Sequence, residues 1–257
     1  MSFQLDLAFL RKVARQAGAA ILDVYGTDFG VEHKADSSPL TEADMRSHRV
    51  IVERLSEQYP DVPVLSEENV EEYPYEVRKS WTRYFLVDPL DGTKEFIKRN
   101  GQFTVNIALI EEGRPVAGVV YAPVLDWLYW GSSEGGAFKQ DAGGPPVRLQ
   151  PQQPEEGRVR IVGSRSHPSP EMEAFVEEQR KSGAEVELMP VGSSLKLCMV
   201  ADGSADLYPR LGPTSEWDTA AAHAVVNAAG RRVLSWGSEQ ELPYNKENIL
   251  NGWFLVR

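Results

Sequence analysis

The sequence predicts a layered protein with an α+β first half and an α/β second half. Three patterns carry this prediction. Residues 3–25 and 41–59 repeat apolar side chains at helical spacing. Strand-like segments with glycine-rich turns between them fill 81–130 and read as an antiparallel meander. From residue 159 onward strand and helix patterns alternate, which argues α/β layering. The 257 residues suffice for one large domain or two modest ones. Residues 141–157, rich in Gly, Pro and Gln, are the expected linker between parts spanning 1–145 and 155–257.

In the first helix Leu7, Leu10, Val13, Ala14, Ala17, Ile21 and Val24 share one face, and Gly26 ends it. A short strand at 31–34 and a polar loop at 35–39 follow. Thr41 is placed to cap the second helix, with Asp44 reaching back as in a capping box. Pro60 and Pro63 stop that helix, and a short apolar strand at 62–65 leads into Ser66-Glu67-Glu68. Residues 81–87 read as a buried strand, 94–98 as a short helix, and 103–110, 116–121 and 127–130 as strands. Gly131 to Gly136 lacks the Walker lysine and the dinucleotide spacing, so it reads as a hairpin turn. The second half offers strands at 159–163, 184–191, 205–208, 233–234 and 253–256, and helices at 170–182, 194–201 and 217–229.

Composition narrows the function classes. Lys plus Arg is 27 against 38 Asp plus Glu, a net charge of −11, which repels nucleic-acid backbones and anionic membranes. Small anionic substrates stay open where cations receive them. A single cysteine excludes an intramolecular disulfide framework and a Cys-rich zinc site. Cys198 lies among Leu195, Leu197, Met199 and Val200 and reads as a buried, inert thiol. No stretch approaches the roughly 20 apolar residues of a membrane span, and Asp6, Arg11 and Lys12 break any signal-peptide core. A cytoplasmic protein is expected.

Chemistry concentrates in Asp88-Pro89-Leu90-Asp91-Gly92-Thr93, at the end of a predicted strand. Two carboxylates for a hard cation stand beside a glycine and a hydroxyl where backbone amides can meet an anion. Asp-Pro and Asp-Gly are also ordinary turn dipeptides. Asp44 and Asp218, each in the first turn of a predicted helix, have a structural explanation in capping and the helix dipole.

Four segments stand in order: Thr41-Glu42-Ala43-Asp44, Ser66-Glu67-Glu68, Asp88 to Thr93, and Trp217-Asp218-Thr219-Ala220-Ala221. Together they resemble the metal-dependent, lithium-sensitive phosphomonoesterase superfamily of inositol monophosphatases, fructose bisphosphatases and 3′-phosphoadenosine 5′-phosphate phosphatases. The resemblance covers nearly the whole chain. Asp91-Gly92-Thr93-Lys94-Glu95-Phe96, Gly192-Ser193-Ser194-Leu195-Lys196 and the segment from Asp206 to Thr214 are similar to the CysQ type of 3′(2′),5′-bisphosphate nucleotidase.

The resemblance implies an αβαβα sandwich with the active site between two subdomains. It implies that Glu67, Asp88, Asp91, Asp218 and the backbone carbonyl of Leu90 bind two or three Mg²⁺ ions. Thr93, paired with Asp44, would orient and deprotonate the attacking water, with Glu67 in the same catalytic set. The Gly92 and Thr93 amides would hold the scissile phosphate, and Ser193, Lys196, Arg210 and His167 the second phosphate and the nucleoside. The implied reaction converts 3′-phosphoadenosine 5′-phosphate to AMP and phosphate, clearing a by-product of sulfate assimilation, with 3′-phosphoadenosine 5′-phosphosulfate as a second candidate substrate. The partner is thus a small nucleotide bisphosphate, on a monomer or homodimer. An inositol or sugar-bisphosphate phosphatase, and a catalytically silent nucleotide or metal sensor, are the rival readings.

Overall fold

Asp6 sets where the first helix begins. Its carboxylate accepts the Ala8 and Phe9 amides at 2.8 and 3.1 Å. Helix α1 (Leu7–Tyr25) therefore starts later than the apolar repeat predicts. The computed structural model describes residues 3–33, 39–150, 155–164 and 169–257. Strands β1 (Val31–His33) and β2 (Pro39–Thr41) pair antiparallel, and residues 35–38 of the expected polar loop lie outside the described residues. Thr41 caps α2 (Glu42–Gln58) in the capping box that its sequence predicts.

A seven-stranded sheet follows, built from β3 (Val64–Ser66), β4 (Arg83–Asp91), β5 (Thr104–Glu111), β6 (Arg114–Ala122), β7 (Trp127–Ser132), β8 (Gly136–Asp141) and β9 (Val147–Arg148). The strands lie in chain order and are antiparallel except for the parallel pair β3–β4. Two short helices, α3 (Tyr75–Arg78) and α4 (Thr93–Ile97), flank β4. The glycine-rich run at 131–136 is the hairpin turn expected of it. The linker expectation at 141–157 is corrected in part. Val147 and Arg148 extend the sheet, and Leu149 packs into the core at 8% exposure, so this end of the stretch is ordered by pairing with β8.

The second half contains β10 (Arg158–Ser164), α5 (Pro170–Lys181), β11 (Glu185–Val191), α6 (Leu195–Ala201), β12 (Tyr208–Arg210), β13 (Thr214–Ser215), α7 (Glu216–Ala228), β14 (Val233–Ser235), β15 (Leu250–Asn251) and β16 (Phe254–Val256). The parallel pair β10–β11 fits the predicted alternation. The other strands form small antiparallel sheets, β12-β16-β14 and β13-β15.

Strand periodicity explains the layers. On β5, Val105, Ile107 and Leu109 face α1 and α2, while Ala108 and Ile110 face α6 and α7. Beyond α6 and α7 lie the small sheets, and α5 covers β10 and β11. The result is an αβαβα sandwich. Helix α7 comes closest to the large sheet at Gly118 of β6, where a Cβ would lie 2.1 Å from the Ala221 carbonyl oxygen. Only a glycine admits that approach. Among the described residues no helix is long and apolar enough to cross a membrane.

Candidate active site

The site begins with an irregularity in β4. Asp88 pairs with Asn106 and Asp91 with Thr104, so one extra residue bulges out of the strand. Pro89, which has no N–H to give to the ladder, sits in that bulge. The Leu90 amide donates to Asp88 Oδ1 at 3.0 Å, and Ser47 of α2 donates to the Pro89 carbonyl at 2.7 Å. The bulge brings both carboxylates to one cavity, which a regular strand would place on opposite faces at odd spacing. Gly92 follows with φ 92° and ψ 44°, a left-handed conformation that a side chain would strain.

Asp218 arrives from 127 positions further along the chain (218 − 91). It occupies the first turn of α7, where its Oδ2 accepts the Ser215 amide at 2.8 Å. Ligand atoms of Asp88, Asp91 and Asp218 all lie within 4.8 Å of one another. Glu67, immediately after β3, lines the same cavity of about 540 Å³.

Burial and mutual repulsion disfavour the charged forms. Burial, then the negative charges of Glu67, Asp91 and Asp218, holds Asp88 well above the ordinary carboxyl range. Burial pushes Asp218 up to about 8, with Asp91 and Glu67 adding to the rise. Asp91 is raised to about 6 by burial, against the pull of Lys196 and the Ser194 amide. Two like charges 4 Å apart at an effective dielectric of ~20 repel by about 4 kcal/mol. An all-oxygen, buried and mutually repelling set fits a hard divalent cation.

Asp44 uses its two oxygens differently. Its Oδ2 accepts the Thr41 amide and hydroxyl at 2.8 and 2.6 Å, closing the capping box. Its Oδ1 faces the Thr93 hydroxyl at 3.5 Å. Burial raises its carboxyl to about 6, against the Thr41 hydrogen bonds.

The second half contributes cations. Lys196, 6% exposed, donates to the Ser193 carbonyl at 2.5 Å, and burial lowers its ammonium to about 8. Arg210 donates to the Pro213 carbonyl at 2.7 Å and keeps a buried Nε without a partner. Ser193 has a φ of 48° and a buried Oγ without a partner, and Ser194 takes the N-cap position of α6. Ser193, Lys196 and Arg210 line the same cavity as Glu67, Asp88, Leu90, Asp91, Gly92, Thr93 and Asp218. His167 lies outside the described residues.

The sequence reading missed Thr104, Asn106 and Ser194, whose polar atoms surround Asp91. A signal was present: Thr104 and Asn106 are polar positions at the start of a strand that is apolar from Ile107 to Ile110, two residues apart and so on one face.

Comparison with known proteins points to one family. The inositol monophosphatase family profile matches residues 4–253. The chain is 50% identical over 248 residues to the 3′(2′),5′-bisphosphate nucleotidase CysQ of Salmonella typhimurium, covering 95% of this chain and 96% of that one. The crystal structure of CysQ from Bacteroides thetaiotaomicron, a bacterial member of the inositol monophosphatase family, superposes with a TM-score of 0.86 at 43% identity, over 97% of this chain and 96% of that one. The extragenic suppressor protein suhB of Bartonella henselae superposes with a TM-score of 0.77 at 25% identity, over 97% and 92%. With the whole fold, the ordered acidic segments and a profile that spans nearly every residue in agreement, the chain belongs to the inositol monophosphatase family.

Proposed function

We propose that this chain is a Mg²⁺-dependent phosphomonoesterase that removes the 3′-phosphate of 3′-phosphoadenosine 5′-phosphate, giving AMP and phosphate. The observation that carries the reading is one cavity lined both by Glu67, Asp88, Asp91 and Asp218 and by Lys196 and Arg210. A substrate with two phosphates uses both sets: the scissile phosphate sits at the carboxylates and the second at the cations. Inositol 1-phosphate would leave Lys196 and Arg210 without an anion. The 50% identity to a protein named as a 3′(2′),5′-bisphosphate nucleotidase supports the same substrate class.

Glu67, Asp88, Asp91, Asp218 and the Leu90 carbonyl would hold two or three Mg²⁺ ions. Bound there, such ions lower the pKa of water and neutralise charge on the phosphate and the leaving oxygen. The protein's own groups supply position. Thr93 gives its hydroxyl proton to Asp44 Oδ1 and turns its lone pairs to the attacking water. The Gly92 and Thr93 amides face the scissile phosphate. Lys196 and Arg210 receive the second phosphate, Arg210 in bidentate fashion, and Ser193 and His167 contact the nucleoside side. The division into residues 1–145 and 155–257, with the cleft between them, belongs to the same reading, as do cytoplasmic residence and a monomeric or homodimeric state.

The test is phosphate release from 3′-phosphoadenosine 5′-phosphate, inositol 1-phosphate and fructose 1,6-bisphosphate at equal concentration, with Mg²⁺ and with chelator. The expected result is a strong preference for the nucleotide, dependence on Mg²⁺ and inhibition by millimolar lithium. Preference for either other ester overturns the roles given to Lys196 and Arg210. No release from any of them overturns the activity.

A further inference from the structure

Asp91 is held by a buried hydrogen-bond network that joins the two halves of the chain. Its Oδ2 accepts the Ser194 amide at 2.5 Å and lies 3.5 Å from both Thr104 Oγ1 and Asn106 Nδ2. The Ser194 hydroxyl does not point at Asp91. It donates to Asn106 Oδ1 at 2.8 Å and lies 2.8 Å from Thr104 Oγ1. Its single proton is thus committed to Asn106, so Thr104 is the donor in the second contact. Thr104, Asn106 and Ser194 are 0, 1 and 2% exposed, so water does not compete.

Proton accounting fixes the direction of the Asn106 amide. An ionised carboxylate only accepts, so the NH₂ faces Asp91 and Oδ1 is left to receive the Ser194 proton. Without the Ser194 hydroxyl Oδ1 loses its donor, and only the long contact with Asp91 is left to hold the amide in place. The same Ser194 follows Ser193, whose left-handed backbone sets its carbonyl toward Lys196 Nζ. One turn of chain therefore ties the lysine to the carboxylate.

We propose that Ser194 is a positioning residue for Asp91, acting through the Asn106 amide and thereby coupling the Gly192-Ser193-Ser194 turn to divalent cation binding. The proposal rests on the cation site of the proposed function and adds a residue to it. Outer-shell partners of metal ligands typically contribute 10- to 100-fold in affinity.

The experiment is calorimetric titration of metal-free protein with Mg²⁺, for the wild type and for Ser194→Ala, Asn106→Ala, the double variant and Ser194→Thr, with urea denaturation of each metal-free protein alongside. Ser194→Ala is expected to weaken Mg²⁺ binding roughly tenfold and, since it leaves buried Asn106 and Thr104 atoms short of a partner, to lower the metal-free denaturation midpoint as well. Acting through Asn106, it should cost nothing further in the Asn106→Ala background. Ser194→Thr, which keeps the hydroxyl, should restore much of the affinity. Unchanged Mg²⁺ affinity in Ser194→Ala overturns the proposal. So do additive losses in the double variant, or a Ser194→Thr variant that recovers metal-free stability without recovering affinity. A wild type that binds no Mg²⁺ instead overturns the cation site itself, so the two failures are distinct.

Discussion

Gly118→Ala tests how α7 places Asp218. The added Cβ would lie 2.1 Å from the Ala221 carbonyl oxygen, 2.8 Å from its carbonyl carbon and 2.9 Å from its Cα. A carbon–oxygen contact relaxes at about 3.3 Å, so strand and helix must separate by roughly 1 Å. Neither yields easily. Ala220, Ala221, Val225 and Val226 are almost fully buried on the helix, and Val119 and Val120 on the strand. The clash is with backbone, so no rotamer change relieves it, and the cost falls at the upper end of overpacking, about 3 kcal/mol. For a chain of this size that lowers the melting temperature by roughly 6–12 °C. Asp218 lies three residues, less than one turn, before Ala221 and moves with it. A 1 Å misplacement near reacting groups costs on the order of 100-fold in rate. Urea denaturation and phosphate release on the purified variant measure both. Stability within about 0.5 kcal/mol of wild type together with undiminished kcat/KM would refute the reasoning, because it would mean that the close approach neither strains the fold nor sets Asp218.

Asp218→Asn removes one charge from a mutually repelling set while its amide oxygen can still accept the Ser215 amide; scanning calorimetry should find the metal-free variant melting above wild type with no stabilisation by Mg²⁺, and a lower melting point counts against the electrostatic account. Glu216 is fully buried and accepts the Lys246 ammonium at 2.6 Å beside the Asn245 and Lys246 amides, so Lys246→Met should destabilise by about 3 kcal/mol, and adding Glu216→Gln should recover part of that; equal stabilities in denaturant would remove the buried pair from the argument. His223 is buried with Tyr244 Oη 2.9 Å from Nδ1 and Glu241 3.5 Å from Nε2, while Arg232 lies 3.5 Å from Glu241. Burial lowers the imidazole pKa, so the unfolded chain binds that proton more readily and stability falls as pH drops below about 6.5. Glu241, depressed to about 2 by its contact with His223, adds a second loss between its unfolded value of 4.5 and 2. His223→Gln should flatten the stability profile between pH 7 and 5, and an unaltered slope would assign the acid sensitivity elsewhere.

Much of this protein is written locally. The apolar repeat of α1, the Thr41–Asp44 capping box and the β7–β8 hairpin turn depend on residues a few positions apart, and the sequence states them directly. The four acidic segments are legible too, because each is short and their order is specific. Other features needed the assembled fold. Strands β9, β13 and β15 are two residues each and carry no periodicity, so pairing with neighbours decides them. The linker expected from Gly and Pro content became sheet edge at Val147 because β8 offered a free ladder. Asp44 could be read as a cap or as a partner of Thr93, and only the packing of α2 beside the β4 bulge let its two oxygens do both. Ser194, Thr104 and Asn106 meet Asp91 across 103, 13 and 15 positions of chain. Sequence by itself determined the longer secondary elements and the kind of chemistry, since backbone propensity, capping and charge are properties of neighbours along the chain. Tertiary structure decided which carboxylates share a cavity and what holds them, since contacts between distant segments exist only once the layers have packed.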